Sequence, residues 1–242
     1  MSQLADRHIE LNAALRKRTV EAVTRIWYAL PDYRDDSLAS WLQTVPALIE
    51  AAQRQQIAIT DTYIARSLDR PVVGVNPDEI IAGYRNGADP QDVYKRPFDT
   101  AWTALADGAS FPAAVEQGLA RAVQTAATDV QMAMRDTAML AQQEYGFWGY
   151  QRVADGDACS FCQEVDGAYV KGPDLVMDLH PGCGCGLEVM EEPHKGAALL
   201  PDGTRIRDYQ YGPLNENVTV HEHGELGSVL ADPSHDFSTQ QK

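Results

Sequence analysis

The sequence predicts a mainly α protein: a helical N-terminal region ending in one long helix, then a small cysteine-rich β unit of α+β character, then an extended C-terminal arm. Three observations carry this reading. Apolar residues recur at helical spacing through the first 144 positions, all four cysteines fall between Cys159 and Cys185, and from Glu191 onward no periodicity is sustained. The boundaries implied are 1–144, 145–190 and 191–242.

In the first stretch Leu4, Leu11, Leu15, Val23, Ile26, Trp27 and Leu30 recur at roughly helical spacing, and Pro31-Asp32 stops the pattern. A second helix is expected from about Ser37 to Leu68, kinked or shortened at its start by Pro46, because proline removes a hydrogen bond and crowds the preceding turn. Asp69-Arg70-Pro71 ends it. Between Pro71 and Pro97 the chain is punctuated by Gly74, Asn76-Pro77, Gly87 and Pro90, which predicts a connector with one short helix, Asp78 to Arg85. The longest helix runs from about Pro112 to Glu144. Its stripe of Val115, Leu119, Ala122, Ala126, Val130, Ala133 and Leu140 is rich in small residues, which suits close packing in a bundle or in self-association.

After Gly146 the pattern changes. Phe147, Trp148, Tyr150 and Val153 read as a strand, Ala168-Tyr169-Val170 as its hairpin partner after the Asp166-Gly167 turn, and Leu187 to Met190 as a strand leaving the unit. The last segment, with turns at Pro201-Asp202-Gly203 and Tyr211-Gly212-Pro213, reads as an arm ordered only against a partner or against its own helices.

The chemistry lies in the β unit. Cys159 and Cys162 form a C-x-x-C knuckle, and after seventeen intervening residues His180, Cys183 and Cys185 form H-x-x-C-x-C. Two chelating clusters of these residue types joined by a short span are what a tetrahedral zinc ion requires, and such an ion gives a small loop-rich unit a core it cannot build from apolar residues. Five candidates compete for four places. If the chain is extended after Gly182, Cys183 and Cys185 point to opposite faces, only one binds, and closure of the His180-Pro181-Gly182 turn favours Cys185. A full shell of four protein ligands leaves no open position for water or substrate, so the metal is expected to be structural.

Other uses of these cysteines fit less well. Their even number allows disulfides, but a C-x-C pair is badly spaced for bonding to itself. A redox C-x-x-C needs a preceding strand and a following helix, whereas Cys162 runs into the Glu164-Val165-Asp166-Gly167 turn. The first residues, Met1 to Asp6, show neither a charged leader nor an apolar core, and no run of eighteen apolar residues occurs, so the expectation is a cytosolic chain with no membrane span.

The net charge of −15 is uneven: residues 1–144 carry 14 basic and 19 acidic side chains, and residues 145–242 carry 6 and 16. Such a field repels phosphate backbones, which argues against a nucleic-acid finger. Arg16-Lys17-Arg18 is the one basic cluster and reads as a solvated helix face. Lysine is scarce beside arginine, 5 against 15.

The run Arg152-x6-Cys159-Ser160-Phe161-Cys162, then Asp166-Gly167, then His180-Pro181-Gly182-Cys183-Gly184-Cys185 resembles the C-terminal signature of the phage Mu F-like (MuF) head morphogenesis, or minor capsid, proteins. The resemblance covers about residues 145–190, and Gly184 stands where the family often has arginine. His221-Glu222-His223-Gly224-Glu225-Leu226-Gly227, with residues 232–237 beyond, is similar to the ends of minor capsid proteins from tailed phages of actinobacteria. The resemblance implies a virion protein of the head or portal vertex, present in the host cytoplasm during assembly. It also implies a portal or major capsid protein as partner, and no catalytic activity. A zinc-ribbon adaptor for another protein is the alternative. A zinc enzyme fits less well, since there is no H-E-x-x-H, and the H-E-H at 221–223 lies downstream of the cysteines rather than in a deaminase pattern. His221, Glu222, His223 and His235 are expected to be solvated side chains rather than a second metal site.

Overall fold

The computed structural model describes residues 2–156, 158, 162–163, 166–167, 169–171, 182–191 and 219–231. Its helices are α1 (Gln3–Tyr28), α2 (Asp35–Ser67), α3 (Pro77–Ala82), α4 (Pro90–Ala106) and α5 (Phe111–Tyr145), with one 3₁₀ turn at Tyr84–Gly87. The strands are β1 (Gly149–Val153), β2 (Tyr169–Lys171), β3 (Gly186–Met190), β4 (Thr219–His223) and β5 (Gly227–Ala231). The mainly helical class and the small antiparallel strands are those the sequence predicts.

α5 is the central element and packs against α1, α2 and α4. From Thr125 to Arg135 every one of its residues is buried, so here it is covered on all sides rather than along one stripe. The buried face of α1 is Ala5, His8, Asn12, Leu15, Thr19, Val23 and Trp27, a stripe that includes polar residues and leaves Leu4 outside at 41% exposure. At the far end Trp27, Trp41 and Phe98 meet edge to face, with ring centroids 5.2 Å apart for the Trp27 pairs.

Pro46 does not split off the first turn of α2, and the expectation of a connector up to Pro97 is corrected. α2 runs unbroken through Pro46. The carbonyl that Pro46 deprives of its helical partner is that of Leu42, four residues back, and Gln91 Nε2 at the start of α4 donates to it at 3.3 Å. The stretch from Pro90 is not connector but a seventeen-residue helix containing Pro97. The Tyr94 carbonyl, three residues before that proline, takes the Trp41 indole N–H at 2.7 Å. Asp89 caps α4 by accepting from Gln91 N, and Pro90 at the first position needs no N–H partner.

The three-stranded sheet has the order β2-β1-β3, antiparallel throughout, with Arg152 opposite Leu187. β4 and β5 form a separate hairpin. Part of the segment predicted to be an extended arm is therefore folded: Leu226, Val229 and Ala231 are buried, and Leu226 and Val229 belong to the core cluster that holds Met134 and Ile64. The turns expected near 201–203 and 211–213 lie outside the described residues. Among the described residues no helix is long and apolar enough to cross a membrane.

Candidate metal centre

Cys162, Cys183 and Cys185 converge. They are 2%, 0% and 1% exposed, and their three sulfurs all lie within 4.8 Å of one another. The Cys162 and Cys183 sulfurs are 3.9 Å apart, far beyond a disulfide and close to the roughly 3.8 Å edge of a tetrahedron built on a zinc–sulfur bond of about 2.3 Å. Cys159 and His180, the other two predicted ligands, lie outside the described residues.

The prediction that Cys183 and Cys185 point apart is corrected. It required an extended chain, but β3 starts only at Gly186. Gly182 has a φ of 80°, in the left-handed region that favours glycine, and the Cys185 N–H turns back to donate to Cys183 Sγ at 3.4 Å. This local turn brings both sulfurs to one side.

The helices clamp the turn from behind. Thr128 Oγ1 accepts the Gly182 N–H at 3.0 Å, and Gln131 Nε2 donates to the Cys185 carbonyl, both from α5. From α1, Arg16 donates to the Cys183 carbonyl at 2.8 Å and pairs with Asp155 at 2.8 Å. Arg16 is thus part of the knuckle's support rather than a solvated side chain, although Lys17 and Arg18 are exposed. This pair also accounts for Gly184: a Cβ there would lie 2.1 Å from the Asp155 carboxylate and 2.2 Å from the Arg16 guanidinium.

Arg152 on β1 is 1% exposed, and its Nη1 lies 3.9 Å from Cys183 Sγ. Burying a guanidinium is costly unless negative charge faces it, and a thiolate centre supplies that charge. Without a cation the thiols resist ionisation. Hydrogen bonding to Cys183 and Cys185, with burial, pushes Cys162 far above its usual value. For Cys185 the bond to Cys162 pulls down, yet the bond to Cys183 and burial outweigh it and carry the thiol up to about 12. A bound metal reverses this balance by stabilising the thiolates directly. Three buried, mutually adjacent sulfurs can therefore bind a thiophilic metal, with a fourth ligand needed to complete a closed shell.

The second histidine group does not converge. His221 and Glu222 are exposed, whereas His223 is buried and its Nδ1 accepts the N–H groups of Glu225 and Leu226 at 3.2 and 3.1 Å, closing the hairpin turn. His235 lies outside the described residues. Among the described residues the cysteine trio is the one group placed to hold a metal.

A second polar centre has no local signature in the sequence. Asp129 on α5 is fully buried and accepts from Tyr84, Tyr94 and Arg85. Arg85 continues to Glu225 in the hairpin turn at 3.0 Å, and Arg96 grips the same carboxylate through both terminal nitrogens. Its members span residues 84 to 225. Compared with family models, with curated proteins and with solved structures, the chain has no match.

Proposed function

We propose that this chain is a minor capsid or head-morphogenesis protein of a tailed phage, which binds the portal or the inner capsid surface during head assembly and performs no catalysis. The observation that carries the reading is the ordered motif C-x-x-C, D-G, H-P-x-C-x-C, whose described cysteines share one buried cluster. In this reading the metal is zinc, held by Cys162, Cys183 and Cys185 with Cys159 or His180 as fourth ligand. It supplies a fixed crosslink within the β unit, which Thr128, Gln131 and Arg16 then hold against the helices. The burial of all three described ligands supports a structural rather than a catalytic ion, because a substrate has no approach to those sulfurs.

The test is co-expression with the portal and the major capsid proteins of the same phage, followed by affinity purification. The expected result is a stoichiometric complex with one of them and incorporation into heads. Failure to associate with either protein, with normal heads formed in its absence, overturns the proposal.

A further inference from the structure

Around Glu225 three arginines from separate elements converge: Arg85 from the 3₁₀ turn, Arg96 from α4 and Arg121 from α5. Two carboxylates face them, Asp129 and Glu225, which leaves one positive charge over. Asp129 is consumed: one oxygen takes Arg85 and the other takes the two tyrosine hydroxyls. Glu225 is consumed as well, with both oxygens on Arg96 and one shared with Arg85. Arg121 takes part in neither set, and among the described residues it makes no hydrogen bond or ion pair.

Arg121 is nonetheless half buried, beside two like charges. Burial, with repulsion from Arg96 and Arg85, outweighs the attraction of Glu225 and lowers the Arg121 pKa, so the arrangement is unfavourable in isolation. It becomes favourable when an anion enters. The side chains beside it suit one: Gln124 and Thr125 line the same small cavity, about 30 Å³ in volume. Guanidinium groups recognise planar or tetrahedral oxyanions through paired N–H donors. The occupant already present on two of the arginines, the Glu225 carboxylate, belongs to that chemical class.

We propose that this pocket is an oxyanion-binding site, with Arg121 as the cation that the chain's own Glu225 does not neutralise, and that it accepts a carboxylate or a phosphate-type group. Charge complementarity gives the site its selectivity. In a chain of net charge −15 a locally positive cleft attracts small anions, or an acidic side chain presented by a partner, that the rest of the surface repels. Glu225 lies at the turn of a hairpin that pairs with no other strand among the described residues, held to the helices by Asn86 Nδ2 on the Gly224 carbonyl and Arg135 Nη1 on the Leu226 carbonyl, both 2.6 Å. The proposal does not depend on the metal or on the virion assignment.

The experiment is calorimetric titration of the full chain with inorganic phosphate and, separately, with a Glu-Glu dipeptide, at an ionic strength held constant with chloride. Wild type is expected to bind at least one probe. Arg121→Gln should lose about tenfold or more in affinity, and because Arg121 makes no hydrogen bond or ion pair among the described residues its melting temperature should not fall below wild type. Glu225→Gln should gain affinity by about tenfold, since it removes the carboxylate that repels an incoming anion. Tighter binding of the dipeptide assigns the site to an acidic protein segment, and tighter binding of phosphate to a free oxyanion. Equal binding by wild type and Arg121→Gln, or no binding of either probe by wild type and Glu225→Gln, overturns the proposal.

Discussion

Lowering the pH through the range of histidine titration should destabilise this protein, and His8 carries a contribution that can be isolated. It lies on the buried face of α1, stacked on Tyr63 with ring centroids 4.2 Å apart, and its Nε2 is 3.2 Å from both Asn12 Nδ2 and Thr60 Oγ1. Asn12 Oδ1 accepts from Gln56 at 2.7 Å, which fixes the orientation of the Asn12 amide, so its N–H group points at Nε2 and Nε2 must accept. Protonation would set N–H against N–H in a site closed to water. Burial accordingly lowers the His8 pKa from 6.5 to about 3. The unfolded chain takes up the proton below 6.5 while the folded chain does not until about 3, so stability falls with pH across that window and is unaffected above it. With these values the loss is about 2 kcal/mol at about pH 5 and about 3 kcal/mol at about pH 4. Urea unfolding at neutral pH and at about pH 5, for wild type and His8→Gln, isolates this contribution, because other acid-titrating groups and the metal ligands are common to both chains. Wild type should lose about 2 kcal/mol more than the variant. Parallel losses in the two proteins would refute the argument.

Cys183→Ser and Cys185→Ser should each abolish metal binding, since both sulfurs share the cluster, and metal analysis should find close to one zinc per chain in wild type alone; full zinc retention by either variant removes that sulfur from the shell. Chelation should lower the melting temperature of the helices as well as of the β unit, because the three cysteines belong to the same core cluster as Ile57, Ile64 and Met134. Helical circular dichroism with an unchanged midpoint after metal removal would contradict this. Gly118→Ala should destabilise by about 1–3 kcal/mol despite alanine's better helix propensity. The new Cβ would lie 2.6 Å from the fully buried Trp27 ring and 2.7 Å from the Pro97 carbonyl, and the backbone oxygen cannot yield; a raised melting temperature would show that propensity wins.

What the sequence makes legible here is whatever is written locally. The helical stripes, the three strands of the β unit and the spacing of the cysteines are short-range patterns, and they predict the class and the ligand candidates. The prolines mislead because a helix interior tolerates proline when another segment serves the carbonyls around it. Gln91 does so for Leu42, the carbonyl that Pro46 leaves without a helical donor, from 49 residues away in sequence. Cys183 and Cys185 mislead for the opposite reason: the governing interaction is closer than a strand period, a single N–H folding back onto a sulfur two residues away. The β4–β5 hairpin escapes notice because it is short and its burial depends on Arg85, Arg96 and Arg135, which lie about 90 to 140 residues upstream.

That last dependence bears on how the two polar centres relate. Thr128 on α5 holds Gly182, at the entrance to the cysteine turn, and the same side chain lines the arginine pocket that holds the hairpin. One part of α5, buried on every face from Thr125 to Arg135, thus carries supports of both elements that follow the helices in sequence. A substitution at Thr128 should therefore act on both: Thr128→Val keeps the shape but removes the acceptor for the Gly182 N–H, a part-buried bond whose loss costs about 0.5–1.5 kcal/mol. Metal affinity should fall, and so should protection of the 219–231 backbone from hydrogen exchange. Loss of the first with the second unchanged would show that the centres are adjacent in space but independent in energy.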